Sequence, residues 1–258
     1  MLQLLIGFSI AVVIALTGVG AGVVTAPLLI IFLHVPVEIA VSTALAYSAI
    51  VKLIVVPVQV VRRQVNYKVL GVMLLGGLPG VILGSVLFKH VALHGPKAAL
   101  YFVLGAIIVF TSGWHLFRHF KPAAIPRPAE PGSVAEPVRT KTIAAIMFPI
   151  GAEVGFSSSG AGALGTVALL SLTSLTAAQV VGTDLAFGLC IALVGTGVHW
   201  FGGHYDSGLL LKLAIGGVVG GIVGSGAAPR IPNRQLRFAL SLWLMVIGLQ
   251  FCWQAAVK

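Results

Sequence analysis

A chain of 258 residues in which 58% are hydrophobic and only 9% are charged is not an ordinary soluble domain, whose charged fraction is about 25%. Its net charge of +10 does not indicate nucleic-acid binding, because most of the 16 Lys and Arg residues lie in loops between apolar runs and form no basic domain. The composition predicts an integral membrane protein in which helical spans of about 20 residues and short loops occupy the whole chain.

The first half of the chain, residues 1–120, begins with two short apolar runs. Leu2–Thr17 has no charged segment before it and is interpreted as a membrane segment rather than a signal peptide. Val23–Leu33 would form a helix of about 16 Å, which is too short for a hydrocarbon core of about 30 Å. Such a segment is typical of a broken or re-entrant helix. Three longer runs complete this half: Ile39–Val61, Val69–Phe88 and Ala98–Phe117.

Residues 121–140 differ from the rest of the chain, because they contain five prolines and five charged side chains of both signs. This composition is typical of a flexible polar linker. If each half has five segments, 11 Lys and Arg residues share the side of the linker against three on the other side. The positive-inside rule then predicts a cytoplasmic linker and two external termini.

The second half, residues 141–258, repeats the first. Residues 18–85 align without a gap onto residues 158–225 at an offset of 140, with 17 identities in 68 positions. An odd number of segments per repeat would turn the second half upside down. We therefore predict an all-α membrane protein of two inverted-topology repeats, each with about five hydrophobic segments and with short broken or re-entrant helices at its start. Related halves with a Gly-rich break at the same place are typical of secondary transporters.

The two Gly-rich breaks are the predicted substrate site. Each break precedes a short helix, whose free N–H groups and positive dipole end can bind an anion without a charged side chain. The alternative is that the small residues only allow close helix packing. The candidate binding residues are Gly18, Gly20, Ala21, Gly22, Thr43, Ser157, Ser158, Ser159, Gly160, Ala161, Gly162 and Thr183.

Charged residues inside apolar runs are the second group of candidates, because insertion of a charged side chain costs roughly 2.5–3.5 kcal/mol. Asp184, which replaces Ala44 of the first half, and Glu153 are candidates for proton coupling; either acid could instead fix helix packing. Lys52 could attract an anion, neutralise Asp184 or extend to the membrane interface. His199, which matches Gln59, is interpreted as a packed or interfacial side chain.

The whole pattern resembles the sulfite exporter TauE/SafE family, also called the toluenesulfonate uptake permeases. The resemblance rests on the paired breaks, on Pro27, on the segments Ser42-Thr43-Ala44 and Gly182-Thr183-Asp184, on the Gly-rich third helices and on the linker. It implies a multi-pass protein of the bacterial inner (plasma) membrane that moves small sulfur-containing or organic anions.

We therefore expect a secondary transporter of a small anion, such as a sulfur oxyanion or organosulfonate similar to sulfite or sulfoacetate, driven by a proton or ion gradient. No enzymatic activity, cofactor, metal or nucleic-acid partner is expected. The expected partners are the anion and the lipid bilayer, and homo-oligomerisation stays open. The alternatives are an anion channel, a non-transporting membrane protein, or an intramembrane serine protease that uses Ser158 or Ser159 with His199.

Overall fold

The protein is described by a computed structural model that covers residues 1–17, 21–120, 140–158, 161–200, 206–227 and 233–257. Within these residues all regular secondary structure is α-helical, so the predicted all-α class is confirmed. The helices, in chain order, are α1 (Leu2–Thr17), α2 (Ala21–Leu33), α3 (Val37–Val61), α4 (Tyr67–His94), α5 (Lys97–Phe120), α6 (Thr140–Ser157), α7 (Ala161–Leu172), α8 (Ala177–Trp200), α9 (Ser207–Ala227) and α10 (Asn233–Val257).

Helix length separates two groups of elements. The second helix of each half, α2 or α7, has 13 or 12 residues, about 20 Å or less, which is shorter than a hydrocarbon core of about 30 Å. The predicted short helices are therefore present. Five of the described helices are long and apolar enough to cross a bilayer, which defines a multi-pass integral membrane protein; these spans are Val37–Val61, Tyr67–His94, Ala177–Trp200, Ser207–Gly224 and Phe238–Ala256. Residues 121–139 of the predicted linker lie outside the described residues, and the domain boundaries stay a prediction.

Polar residues that precede α4, α8 and α9 determine where these three helices begin. The Asn66 side chain accepts a hydrogen bond from the Val69 N–H at 3.1 Å, and the Asp206 carboxylate accepts one from the Leu209 N–H at 2.9 Å. These two N-caps stand 140 residues apart, so the two halves begin α4 and α9 in the same way. The start of α8 has a reciprocal pair instead, since Thr176 and Gln179 each accept from the other's backbone N–H.

Glycines let helices of different halves touch backbone to backbone. A Cβ on Gly76 would overlap the Ala144 carbonyl, and a Cβ on Gly80 would overlap the Phe148 carbonyl, so α4 and α6 lie in direct contact and run parallel. At the offset of 140, Gly216 and Gly220 of α9 meet the carbonyls of Leu4 and Phe8 of α1. Each half therefore packs its first helix against the fourth helix of the other half, through glycines that let the two backbones approach closely.

The centre of the protein is the pair α3 and α8, which occupy equivalent positions in the two halves. Ser42 lies opposite His199, Leu45 opposite Gly195, and Lys52 opposite Gly188, so the two helices run antiparallel. An antiparallel relation between equivalent helices is what inverted repeats would produce. The inverted arrangement of the whole chain stays an interpretation that these contacts support.

Candidate functional site

The Asp184 carboxylate lies between α7 and α8, where only 4% of the residue is exposed. The Thr166 hydroxyl donates a hydrogen bond to Oδ2 at 2.9 Å. Gly165 makes room for the other oxygen, since a Cβ there would overlap Oδ1. Oδ1 itself is buried and has no hydrogen-bond partner among the described residues. Because a buried carboxylate oxygen without a partner is costly, the site is suited to a proton or to a ligand that donates one.

Lys52 on α3 is the basic group next to this carboxylate. The residue is 6% exposed, and its ammonium lies against Gly188 of α8, where a Cβ would come within 2.6 Å of Nζ. Gly188 follows Asp184 by one helical turn, so the Lys52 ammonium lies near the Asp184 carboxylate at the contact between α3 and α8. The structure therefore brings together two of the predicted residues, one from each half of the chain.

The position of Asp184 also locates the start of α7. Only residues 173–176 connect α7 to α8, so these two contacting helices run antiparallel. Thr166 bonds to Asp184 and follows the first residue of α7, Ala161, by five positions, or about 7.5 Å of helix. The start of α7 is thus level with about residue 189 of α8, close to Gly188 and the Lys52 ammonium. This end of the helix favours negative charge.

The equivalent helix of the first half occupies an equivalent place. Ala26 of α2 and Ala44 of α3 belong to one apolar cluster, and these residues match Thr166 and Asp184 at the offset of 140. Ala21 begins α2 five residues before Ala26, so the start of α2 lies level with about residue 49 of α3. Residue 49 is near the middle of the α3–α8 pair. Convergence of the two starts on one anion stays a prediction.

The predicted break residues are described only in part. Gly18, Gly20, Ser159 and Gly160 lie outside the described residues. The other four small residues, Ala21, Gly22, Ala161 and Gly162, open α2 and α7.

The two described serines of the second break lie at the end of α6. Ser157 closes this helix, and its hydroxyl donates to the Glu153 carbonyl at 2.9 Å. Ser158 follows in the left-handed region with φ 59° and is 4% exposed. A left-handed serine is unusual, and its counterpart at the offset of 140 is Gly18, a residue type that adopts this conformation readily.

The two predicted threonines have different environments. The Thr183 hydroxyl accepts a hydrogen bond from the Asn66 N–H at 2.9 Å, whereas Thr43 Oγ1 is buried and has no partner in the part of the chain that the structure describes. Thr43 is next to Ser42, and Ser42 contacts His199. His199 lies 16 residues beyond Thr183 on α8. The two threonines therefore lie about 24 Å apart along the pair and do not contact one small anion together. Glu153 is half-buried on α6, four residues before the helix ends.

His199 joins three helices at the far end of the pair. Its Nδ1 lies 2.9 Å from Ser42 Oγ of α3, and its Nε2 lies 3.0 Å from the Gly155 carbonyl oxygen of α6. The ring is 6% exposed and stacks on Phe88 of α4, with centroids 5.1 Å apart. The interpretation of His199 as a packed side chain is confirmed, but the contact with Ser42 gives it a second, polar role.

A cavity of about 610 Å³ opens at the same end of α3. Its polar lining consists of His34, Glu38, Tyr101, Gln250 and Gln254. Glu38 lies 14 residues, or about 21 Å, before Lys52 on α3, so this cavity is separate from the Lys52–Asp184 pair. Glu38 is one turn before Ser42, so the cavity reaches the neighbourhood of His199.

Sequence reasoning did not identify Thr166 or the contact between Ser42 and His199. A hydroxyl in the short helix after the second break was a usable signal for Thr166, because Asp184 needs a donor and the first half has Ala26 there. The Ser42–His199 contact joins residues 157 positions apart, and the repeat offset relates neither residue to the other.

These features, with apolar helices and a buried lysine and aspartate at their centre, define a multi-pass membrane protein with a polar site between its helices. The family model for the sulfite exporter TauE/SafE matches residues 3–251. The chain therefore belongs to the TauE/SafE family and is a membrane transporter of that type. It is 28% identical over 252 residues to the probable membrane transporter protein YjnA of Bacillus subtilis (strain 168). The aligned residues cover 96% of this chain and 97% of that protein. No solved structure matches the chain.

Proposed function

We propose that the protein is a secondary transporter of a small anion, either a sulfur oxyanion such as sulfite or an organosulfonate such as sulfoacetate, in the bacterial inner membrane. The observation that carries this proposal is the buried pair of Lys52 and Asp184 beside the start of α7. A buried ammonium next to a helix N-terminus attracts an anion, and a buried carboxylate close to it can exchange a proton.

The pair suggests how proton and anion binding depend on each other. While Asp184 is ionised, its carboxylate neutralises Lys52. Protonation of Asp184 removes that negative charge, and the Lys52 ammonium then needs another anion as its counterion. The transporter therefore binds the substrate anion and the proton together. Glu153, near the second break, is the other acid that could carry the coupled proton.

The helix contacts suggest which parts move. The glycine contacts hold α4 to α6 and α1 to α9, so each of these pairs contains one helix from each half. Rigid bodies built on these pairs would rock against the α3–α8 centre and open the site alternately to the two sides.

The test uses the purified protein in liposomes of phosphatidylethanolamine and phosphatidylglycerol. Uptake of radiolabelled sulfite and of radiolabelled methanesulfonate, whose charge stays constant between pH 5 and 8, is measured with and without a pH gradient. Saturable exchange that a pH gradient drives supports the proposal. Conductance without saturable exchange indicates a channel, and the absence of both flux and binding indicates a non-transporting protein.

A serine protease is less well supported by the geometry. His199 contacts Ser42, which lies within α3, is 1% exposed and also bonds to the Glu38 carbonyl. A nucleophile in that position has no access to a peptide substrate. Labelling by a fluorophosphonate probe that is lost in Ser42→Ala or Ser158→Ala would support protease chemistry instead.

A further inference from the structure

We infer that His199, held between Ser42 and Gly155, is a second site at which the protein takes up and releases a proton. This inference rests on the proposed function only for its role in transport. The protonation itself follows from the contacts of the ring and is measured independently.

The Gly155 contact determines which ring nitrogen always carries hydrogen. A carbonyl oxygen can only accept, so Nε2, at 3.0 Å, donates to it. Gly155 is in the last turn of α6, where carbonyls lack partners within the helix. His199 and the Ser85 hydroxyl, which donates at 3.3 Å, supply those partners. The negative end of the α6 dipole therefore faces the imidazole and favours its positive form.

The Ser42 contact accommodates both forms of the other nitrogen. In the neutral ring, Nδ1 accepts a hydrogen bond from the Ser42 hydroxyl at 2.9 Å. When a proton binds, Nδ1–H donates to Ser42 Oγ, and the hydroxyl hydrogen turns to the Glu38 carbonyl, which lies 2.9 Å from the same oxygen. Loss of that proton from Nδ1 reverses the change. Hydroxyl rotation alone satisfies both forms, so no heavy atom has to move.

The surroundings favour a cation, and a cavity lies close to the ring. The Phe88 ring, with its centroid 5.1 Å away, lies within the range of about 6 Å in which an aromatic face attracts a cation. The cavity lined by Glu38 comes within one helical turn of Ser42. Among the described residues, the other titratable or charged groups at this end of the helices around the ring are His34 after α2, Glu38 on α3, Tyr101 on α5, Glu153 on α6, and the exposed Lys89, His90 and His94 on α4; α7 contributes none.

The repeat provides a conservative replacement for the test. The residue that matches His199 in the first half is Gln59, and the residues that match Ser42 and Gly155 are Gly182 and Ala15. The protonatable ring is therefore present in one half only. His199→Gln introduces the side chain that the other half already has, keeps a hydrogen-bond donor and removes the titration. His90→Gln, at an exposed position on α4, is the matched control.

The experiment follows ¹⁵N-labelled histidine rings by solid-state NMR from pH 5 to 8, with the protein in bilayers of phosphatidylethanolamine and phosphatidylglycerol. One buried ring signal that is absent in His199→Gln and present in His90→Gln should change from the neutral to the doubly protonated form. Ser42→Ala should move this change to lower pH, because the protonated Nδ1 loses its acceptor. A His199 signal that stays neutral throughout this range would overturn the inference.

Transport provides the second measurement. His199→Gln should bind methanesulfonate as the parent protein does but lose part of the pH dependence of its exchange, while His90→Gln keeps it. A ring that titrates in a protein without anion flux supports the protonation site and contradicts the transport proposal. Unchanged pH dependence in His199→Gln contradicts a role for His199 in coupling.

Discussion

Lys52 and Asp184 lie buried at the contact between α3 of the first half and α8 of the second half, where the Lys52 ammonium packs against Gly188, one helical turn from Asp184. Their counterparts at the offset of 140 are Ala192 and Ala44, so the repeat does not duplicate the pair. The two halves thus share a scaffold, while one charge pair across their contact supplies the polar chemistry.

Replacement of Asp184 by Asn should separate anion exchange from proton coupling. The amide keeps the size of the carboxylate and can still accept from the Thr166 hydroxyl, so the protein should fold. It cannot release a proton, and we expect methanesulfonate exchange that loses the part of its pH dependence that Asp184 supplies and keeps the part that His199 supplies. The measurement is exchange in liposomes between pH 5 and 8. A variant with the parent pH profile would show that Asp184 does not couple, and Glu153→Gln would then be the next variant to measure.

Removal of Lys52 should destabilise the protein through Asp184. In Lys52→Met the buried carboxylate loses its cation, and loss of one partner of a buried charge pair typically costs about 3–5 kcal/mol. The double variant Lys52→Met with Asp184→Asn should recover most of that stability but not anion affinity. Thermal unfolding of the three variants in detergent gives the coupling between the two sites. Additive effects would show that the residues do not act on each other.

Gly165→Ala should affect the Asp184 site by steric overlap alone, because it adds one methyl group and changes no charge. A Cβ at Gly165 would overlap Oδ1, so the carboxylate has to leave its position beside α7 and Thr166. We expect a lower anion exchange rate and a change in its pH dependence. The matched control is Gly197→Ala, where a Cβ would meet no atom within 4 Å. If both variants behave alike, the carboxylate position is not important for transport.

The two threonines should respond differently to replacement by valine. Thr183→Val removes the acceptor of the Asn66 N–H, so we expect a loss of about 1–3 kcal/mol in stability. Thr43→Val removes a hydroxyl oxygen that has no partner, and its stability should change little or increase. Thermal unfolding and methanesulfonate affinity are measured on both. Weaker binding only in Thr43→Val supports the predicted binding role of Thr43, and weaker binding in Thr183→Val without loss of stability contradicts a structural role for Thr183.

The glycine contacts predict a large effect of one methyl group. Gly80→Ala forces α4 away from the Phe148 carbonyl of α6, and Gly220→Ala does the same to α9 and the Phe8 carbonyl of α1. Each should cost about 1–3 kcal/mol, as is usual for an overpacked contact. Gly71→Ala on α4 and Gly221→Ala on α9 would meet no atom within 4 Å and should be stable. Equal melting temperatures for all four would contradict the close contact.

The positions of the helices in the chain could be predicted from the sequence, but the helix that each one packs against could not. Apolar runs, N-caps and Gly-rich segments are local signals, so the ten helices of the described residues and the short α2 and α7 were predictable. That α4 contacts α6 and α1 contacts α9 depends on surfaces far apart in the chain. The same limit applies to the site, where Asp184 and Lys52 were recognisable as charges in apolar runs. Their donor Thr166 and the Ser42–His199 contact became visible only when helices were placed side by side.

The packing of α1 against α9 also affects biosynthesis. The last residue of α1 is Thr17, and α9 begins at Ser207, so about 190 further residues leave the ribosome before α1 meets its partner. At 5–20 residues per second this delay is on the order of ten seconds or more. During that time α1 must remain in the membrane without α9. By contrast, α4 is already inserted when α6 is synthesised. Completion of the native assembly therefore depends on the last third of the polypeptide.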